Sequence, residues 1–255
     1  MTKIERDAII KKIVNLFNNK VKGRVPDTSG SDIKHDGKKG HWLEKQMGIS
    51  HNANNKPDLY GFEMKNYTKS KTTFGDWSAD YYIFKDKNYE IDRKTFLKTF
   101  GLPNLHKKNR HSWSGRSCPK IGDFNIFGQK LEVGKDKSIS VIYSYSYDNR
   151  GGKSIIVPDK FKLDNLVLAK WSADYLRKRV ESKFNNQGWF KCLIDNQGKY
   201  IGIEFGNPIT FELWIDGVEK GLIFFDSGMY EGNTRNYSQW RANNAYWESL
   251  VIERY

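Results

Sequence analysis

The stretch 39-KGHWLEKQMGISHNANNKPDLYGFEMKNY-67 decides how this chain of 255 residues is read. Within it, residues 56–65 set Asp58 behind a proline, at the mouth of a run in which Phe62 and Met64 alternate with Glu63 and Lys65. The two-residue period of a strand puts Glu63 and Lys65 side by side on one face and turns Phe62 and Met64 to the other, where an apolar core takes them. Just upstream, residues 40–48 (GHWLEKQMG) have the spacing of a short helix, with Trp42, Leu43 and Met47 inward and Glu44 beside them.

These residue types suit the hydrolysis of a phosphodiester. Two carboxylates are hard oxygen ligands of the kind Mg²⁺ takes alongside water and a phosphate oxygen. Such an ion polarises the phosphoryl group and acidifies its water, while a neighbouring ammonium orients or deprotonates that water and offsets the charge of the transition state. Asp58 and Glu63 are the candidate metal ligands, the backbone carbonyl of Met64 is a further one, and Lys65 supplies the ammonium. Mg²⁺ is the expected cofactor, with Mn²⁺ able to substitute. E-x-K alone is also a common exposed ion pair, worth roughly 0–1 kcal/mol. The added P-D, the spacing, the alternation and the helix before it are what raise it to a candidate site.

Outward from the motif, residues 3–20 carry Ile4, Ile9, Ile10, Ile13, Val14 and Phe17 at helical spacing, and the polar stretch 22–39 reads as a loop. Strands are expected at 81–84, 139–147, 154–158, 189–195, 200–206, 209–216 and 221–228, a helical region at 159–185, and a tail from 238 to 255 that ends in a helix. His35, His41 and His51 have no zinc spacing. The formal charge of +13 points to a polyanionic partner. An aromatic content of 15% argues against a disordered tail protein, and two cysteines exclude a disulfide scaffold. No apolar run approaches the roughly 20 residues of a membrane span, and the charged N-terminus lacks a signal-peptide core, so a cytoplasmic chain with no membrane partner is expected.

The motif resembles that of the PD-(D/E)xK nucleases. The longer string 39–67 is similar to the core shared by the mismatch-repair nicking endonuclease and the MvaI/BcnI group of type II restriction enzymes, through Gly40, Leu43, Glu44, Pro57, Asp58, Phe62, Glu63 and Lys65. The string 224–250 resembles the closing segment of the LlaMI-type branch. The resemblance implies a restriction-endonuclease-like α/β (α+β) core, a mixed central sheet flanked by helices with DNA-recognition insertions. It implies that Asp58 and Glu63 hold the metal, that Lys65 serves the nucleophile, and that Glu44 supports the site from its helix, as a further candidate ligand. It also implies double-stranded DNA as substrate, a short site of the CCNGG kind, a monomer, a bacterial cytoplasm and a cognate DNA methyltransferase protecting the same site. Some relatives carry a histidine-rich segment near the C-terminal end; here no histidine follows His111.

Two segments have the composition of a DNA-reading surface. Residues 106–116 gather Lys107, Lys108, Arg110, His111 and Arg116; residues 228–241 gather Asn233, Arg235, Tyr237, Ser238, Gln239 and Arg241. Lysine and arginine contact phosphates, and an arginine fork matches a guanine edge in the major groove. One unit spanning 1–255 is expected, divisible into a catalytic lobe (about 1–90 with parts of 139–185) and a recognition lobe (about 90–138 and 186–255). Two unlike recognition arms beside one catalytic set suit a monomer. The leading reading is a site-specific restriction endonuclease. Its rivals are a strand-nicking repair endonuclease and a DNA-binding protein without catalysis, and the intact Asp58, Glu63 and Lys65 set argues against the second.

Overall fold

The computed structural model describes residues 2–29, 37–50 and 55–255. His35 and His51, named above, lie outside them. In chain order the elements are α1 (Lys3–Lys20), α2 (Lys38–Gln46), β1 (Phe62–Asn66), β2 (Lys71–Asp76), β3 (Tyr81–Tyr82), α3 (Arg93–Phe100), β4 (Leu102–Asn104), β5 (Arg110–Trp113), β6 (Phe127–Val133), β7 (Ile139–Asp148), α4 (Lys153–Ile156), β8 (Leu166–Trp171), α5 (Ala173–Phe184), β9 (Gly188–Ile194), β10 (Tyr200–Gly206), α6 (Phe211–Glu219), β11 (Ile223–Ser227), β12 (Met229–Tyr230), β13 (Ser238–Asn243), α7 (Asn244–Ser249) and β14 (Val251–Arg254). None of the described helices is long and apolar enough to cross a membrane.

The chain divides into two compact units. The first takes Met1–Thr72, Arg179–Thr210 and Asn243–Tyr255; the second takes Thr73–Lys178 and Phe211–Ala242. These boundaries differ from those expected. Residues 186–210 and the C-terminal end, assigned by sequence to a recognition lobe, fold with β1, because β9, β10 and β14 complete its sheet.

In the first unit the sheet order is β1-β9-β10-β14, with β1 and β9 parallel and the other pairs antiparallel, a mixed sheet as expected. Its apolar face holds Phe62, Met64, Phe190, Cys192, Ile203 and Phe205 against Ile10, Ile13 and Phe17 of α1 and Leu43 of α2. Helix α1 starts with a capping box: Thr2 Oγ1 accepts from Glu5 N, and the Glu5 carboxylate accepts from Thr2 N (2.8 Å). Three helical turns then bury the stripe Ile10, Ile13, Phe17.

The second unit contains three sheets, β3-β8-β7-β6, β11-β13-β2 and β12-β5-β4. Its interior is tryptophan-rich: Trp113, Trp171, Trp214 and Trp240 are buried and pack edge to face among themselves and with Phe225. Two of the four indole N–H groups are matched, Trp171 donating to Trp77 O and Trp113 to Gln129 Oε1, both at 2.7 Å, while those of Trp214 and Trp240 have no partner among the described residues.

Four expected elements take other forms. Residues 209–216 are not a strand: α6 buries Phe211, Trp214, Ile215 and Val218, a helical stripe that continues past residue 216. The region 159–185 splits into β8 and α5, because Leu166, Val167, Ala169 and Trp171 pair with β7 as a ladder. Residues 154–158 are not a strand but begin within the one-turn helix α4. The tail closes on β14 rather than a helix; Asn243 caps α7 by accepting from Tyr246 N (2.9 Å), and the β-branched Val251 and Ile252 follow in a strand on β10.

Candidate active site

A two-residue turn sets the spacing of the motif. Tyr60 and Gly61 have φ of 50° and 85°, and Leu59 and Phe62 exchange backbone hydrogen bonds across them at 2.9 and 3.0 Å. Positive φ at both central positions is the primed turn whose twist suits the chain folding back on itself. Asp58 is thereby returned to the flank of β1: its amide donates to Phe62 O (3.0 Å), and Met64 N donates to Asp58 Oδ2 (2.9 Å). The four residues between Asp58 and Glu63 are this turn and its two flanking positions.

Glu63 and Lys65 share a face of β1 opposite Trp189 and Lys191 of β9, and both are buried. Lys65 Nζ donates to Glu63 Oε1 at 2.9 Å, and Lys183 Nζ, from α5, stands 3.1 Å from the same oxygen. Glu63 Oε2 is buried and has no hydrogen-bond partner among the described residues. Burial pushes the Asp58 carboxyl up to about 6 and the charge of Glu63 adds to it, while the Met64 amide, Lys65 and Lys183 pull the other way. Burial lowers the pKa of Lys65, opposed by Glu63.

This arrangement fits a divalent cation. The repulsion that helps raise the Asp58 pKa is relieved by positive charge between the two carboxyl groups, and Glu63 Oε2 is buried with no donor among the described residues. Glu44, on α2, lines a cavity with His41, Lys45 and Ile49. Among the described residues no three His, Cys, Asp or Glu side chains form a metal-holding group, so the structure does not join Glu44 to Asp58 and Glu63 as a third ligand.

The two expected DNA-reading segments meet in one sheet of the second unit. β5 pairs with β4 on one side and with β12 on the other, so residues 110–113 and 229–230 are neighbours rather than separate arms. Lys107, Lys108 and Arg116 are exposed. Glu231 accepts from His111 N (2.8 Å) and meets its ring at 3.3 Å. Arg235 pairs with Asp76 (2.7 Å) and Arg241 with Asp226 (3.0 Å). Tyr237 stacks against the Arg235 guanidinium, and Gln239 lies opposite Asp226 on β11. Ser238 is a correction: it is fully buried, its amide donating to Asp76 Oδ1 (2.7 Å) and its hydroxyl bonded to Tyr82, so it presents nothing to a ligand. Asn233 is likewise spent within the loop, accepting from Arg93 Nη2 and Tyr230 N and donating to Gly228 O.

A model of the LlaMI restriction endonuclease family matches residues 21–255. The chain belongs to the LlaMI restriction endonuclease family. It is 45% identical over 262 residues to the type II restriction enzyme ScrFI of Lactococcus lactis subsp. cremoris, covering 95% of this chain and 97% of that protein, and so is a type II restriction endonuclease homologue. The solved complex of restriction endonuclease MvaI with its cognate DNA substrate is similar in fold, with a TM-score of 0.60 at 15% identity over 100% of this chain and 98% of that one.

In this family member, sequence reasoning missed several charged groups. Lys183 carries no local signal, since it is one of many lysines on a polar helix. Lys191 and Glu204 did have one: each is a single charge inside an apolar strand run, which is unfavourable to bury without a reason. They stand opposite each other on β9 and β10, Nζ to Oε1 at 3.9 Å, with Arg254 Nε 3.6 Å from Glu204 Oε2. Burial lowers the Lys191 pKa and raises that of Glu204. Lys65, Lys191, Glu204 and Arg254 thus form a row across the four strands.

Proposed function

We propose that this LlaMI-family protein hydrolyses phosphodiester bonds of double-stranded DNA at a short specific site, with a divalent metal held by Asp58 and Glu63. The observation that carries the reading is Glu63 itself: one oxygen is fixed by Lys65 and Lys183, and the other is buried and unmatched beside Asp58. A cation bound there supplies Lewis-acid polarisation of the phosphoryl oxygen and a more acidic water. The Met64 carbonyl is a further ligand candidate, and Glu44 acts from outside the metal's first ligands. Mg²⁺ fits the all-oxygen set, and Mn²⁺ substitutes.

The chain's own groups divide the work. Asp58 is aimed by the Met64 amide, and Glu63 by two ammoniums. Lys65 Nζ, held on Glu63 Oε1, orients the attacking water as a donor and offsets the charge that develops in the transition state. Lys107, Lys108 and Arg116 neutralise phosphates, while Arg110, on the strand that Glu231 braces through His111, contacts the duplex from the second unit. The expected setting is a bacterial cytoplasm shared with a methyltransferase that protects the same site, and the expected target is of the CCNGG kind.

The test is digestion of a supercoiled plasmid of known sequence with Mg²⁺, followed by sequencing of every cleavage end. The reading predicts double-strand ends at one short motif. Nicks alone would indicate the strand-nicking rival, and intact plasmid a binding protein without catalysis.

A further inference from the structure

Four arginines of the second unit were candidates to read DNA, and the structure sorts them. Arg235 and Arg241 are bound to Asp76 and Asp226. Arg116 is exposed. Arg110 is half-buried like Arg241, and the Nε of each is buried with no partner among the described residues, but Arg110 alone combines this with no ion pair and no side-chain hydrogen bond among the described residues, its guanidinium carbon lying 3.7 Å from the centre of the Tyr230 ring.

The stack follows from the register. Tyr230 of β12 is opposite Ser112 of β5, and Arg110 is two residues along on the same face, so the two side chains are diagonal neighbours. The frame under Tyr230 is heavily braced. Arg93 Nε, Nη1 and Nη2 donate to Asn236 Oδ1, Asn233 O, Asn233 Oδ1 and, at longer range, Tyr230 O and Arg235 O. On the opposite face Glu231 takes the His111 amide and returns its own to His111 O (2.9 Å).

We infer that Arg110, held flat on Tyr230, is the side chain that reads a guanine edge in the major groove. A phosphate contact needs only charge, and the exposed Lys107 and Lys108 at the neighbouring hairpin tip provide it. A planar fork already immobilised by a ring, and carrying unused donors, matches the paired O6 and N7 acceptors of guanine. Rotamer freedom lost in the stack need not be lost again on binding. A hairpin with one added strand also has the dimensions of a β-ribbon that enters the major groove. His111 is then a brace for the platform and Arg235 and Arg241 are framework residues.

This inference rests on the DNA-cleaving reading above, and the experiment separates the two. Fluorescence anisotropy in Ca²⁺ measures binding to a duplex carrying the site mapped from cleavage ends, and to copies in which each guanine in turn is 7-deazaguanine, which lacks N7. Wild type should lose roughly 10- to 100-fold at one guanine. R110K and R110A should lose a similar factor on the normal duplex and lose nothing more at that guanine. Y230L should fall partway toward R110A, while R235K should bind like wild type. Independent, multiplying losses for R110K and 7-deazaguanine overturn the inference, even if R110A fails to fold. So does an equal loss on specific and random duplexes with a salt slope shallower by about one, which marks a phosphate contact. A wild-type protein that cuts no plasmid fails the functional reading instead.

Discussion

Glu63 keeps its two oxygens in different company, and the proposed chemistry turns on that asymmetry. Replacing Glu63, Asp58 or Lys65 by alanine should each lower plasmid cleavage roughly a thousand-fold or more while specific binding persists, because the lost groups act on metal, water and developing charge. Glu44→Ala should cost about ten-fold or less, in keeping with its place outside the Asp58–Glu63 pair. Asp58 gives a pH test. Its folded-state pKa of about 6 lies above the ordinary 3.8, so the folded chain holds the extra proton. The stability linked to that proton is complete below about pH 4 and is lost as pH rises through about 6. Asp58→Asn removes a penalty of roughly 1–2 kcal/mol near neutrality, after discounting for its partial exposure. The metal-free variant should therefore melt a few degrees above wild type at about pH 7.5 and level with it near pH 4. Equal melting curves at both values would contradict the buried-carboxylate account. Gly61 is tested separately: at φ 85° an alanine Cβ stands 2.8 Å from Gln187 Cγ. Gly61→Ala should lower stability by about 1–2 kcal/mol in a chemical-denaturation curve and reduce cleavage by misplacing Asp58.

At the scale of elements, legibility followed how much of the outcome was local. β1 was readable because Phe62 and Met64 alternate with Glu63 and Lys65, and α1 because Ile10, Ile13 and Phe17 keep one buried helical stripe, although Ile4 at its start is exposed. The strand 209–216 was misread because Ile209, Phe211, Leu213 and Ile215 alternate at a period of two, whereas the buried set Phe211, Trp214, Ile215 and Val218 has the helical period of α6. β8 was misread as helix because its partner β7 lies well back in the sequence and no local pattern announces a ladder. The acidic and basic residues of the motif were legible for the same local reason, but Lys183 was not: it reaches Glu63 only through the packing of α5 near β1. The same limit applies to residues 228–241, whose composition suggested a DNA-reading surface. The structure shows Arg93 of α3 binding the loop between β12 and β13 through several hydrogen bonds. Arg93→Ala should abolish hydrogen-exchange protection across 229–236 and weaken specific DNA binding roughly ten-fold or more, with protection of β9 and β10 unchanged. Unchanged exchange in 229–236 would show that the loop is held by other means.

At the scale of the whole molecule, the charge of +13 and the exposed lysines of the hairpin tip set the expectation for affinity. The log of the binding constant should fall with the log of salt concentration at a slope of about −4 or steeper, as several phosphates shed counterions. A monomer remains the proposed state. The premise of two separate arms does not hold, since the two candidate segments share one sheet, and the monomer is proposed on the resemblance to the MvaI/BcnI group. A nicked plasmid should accumulate before the linear form, and scattering of the DNA complex should give one chain per site; two chains per site with no nicked intermediate would refute it. The most direct measurement of the central claim pairs cleavage with binding on one duplex that carries the mapped site. Wild type should cut it in Mg²⁺, stop in excess chelator, and bind it in Ca²⁺; Glu63→Ala should bind it as tightly and cut neither strand. Cleavage that survives the chelator, or that survives Glu63→Ala, would contradict the account.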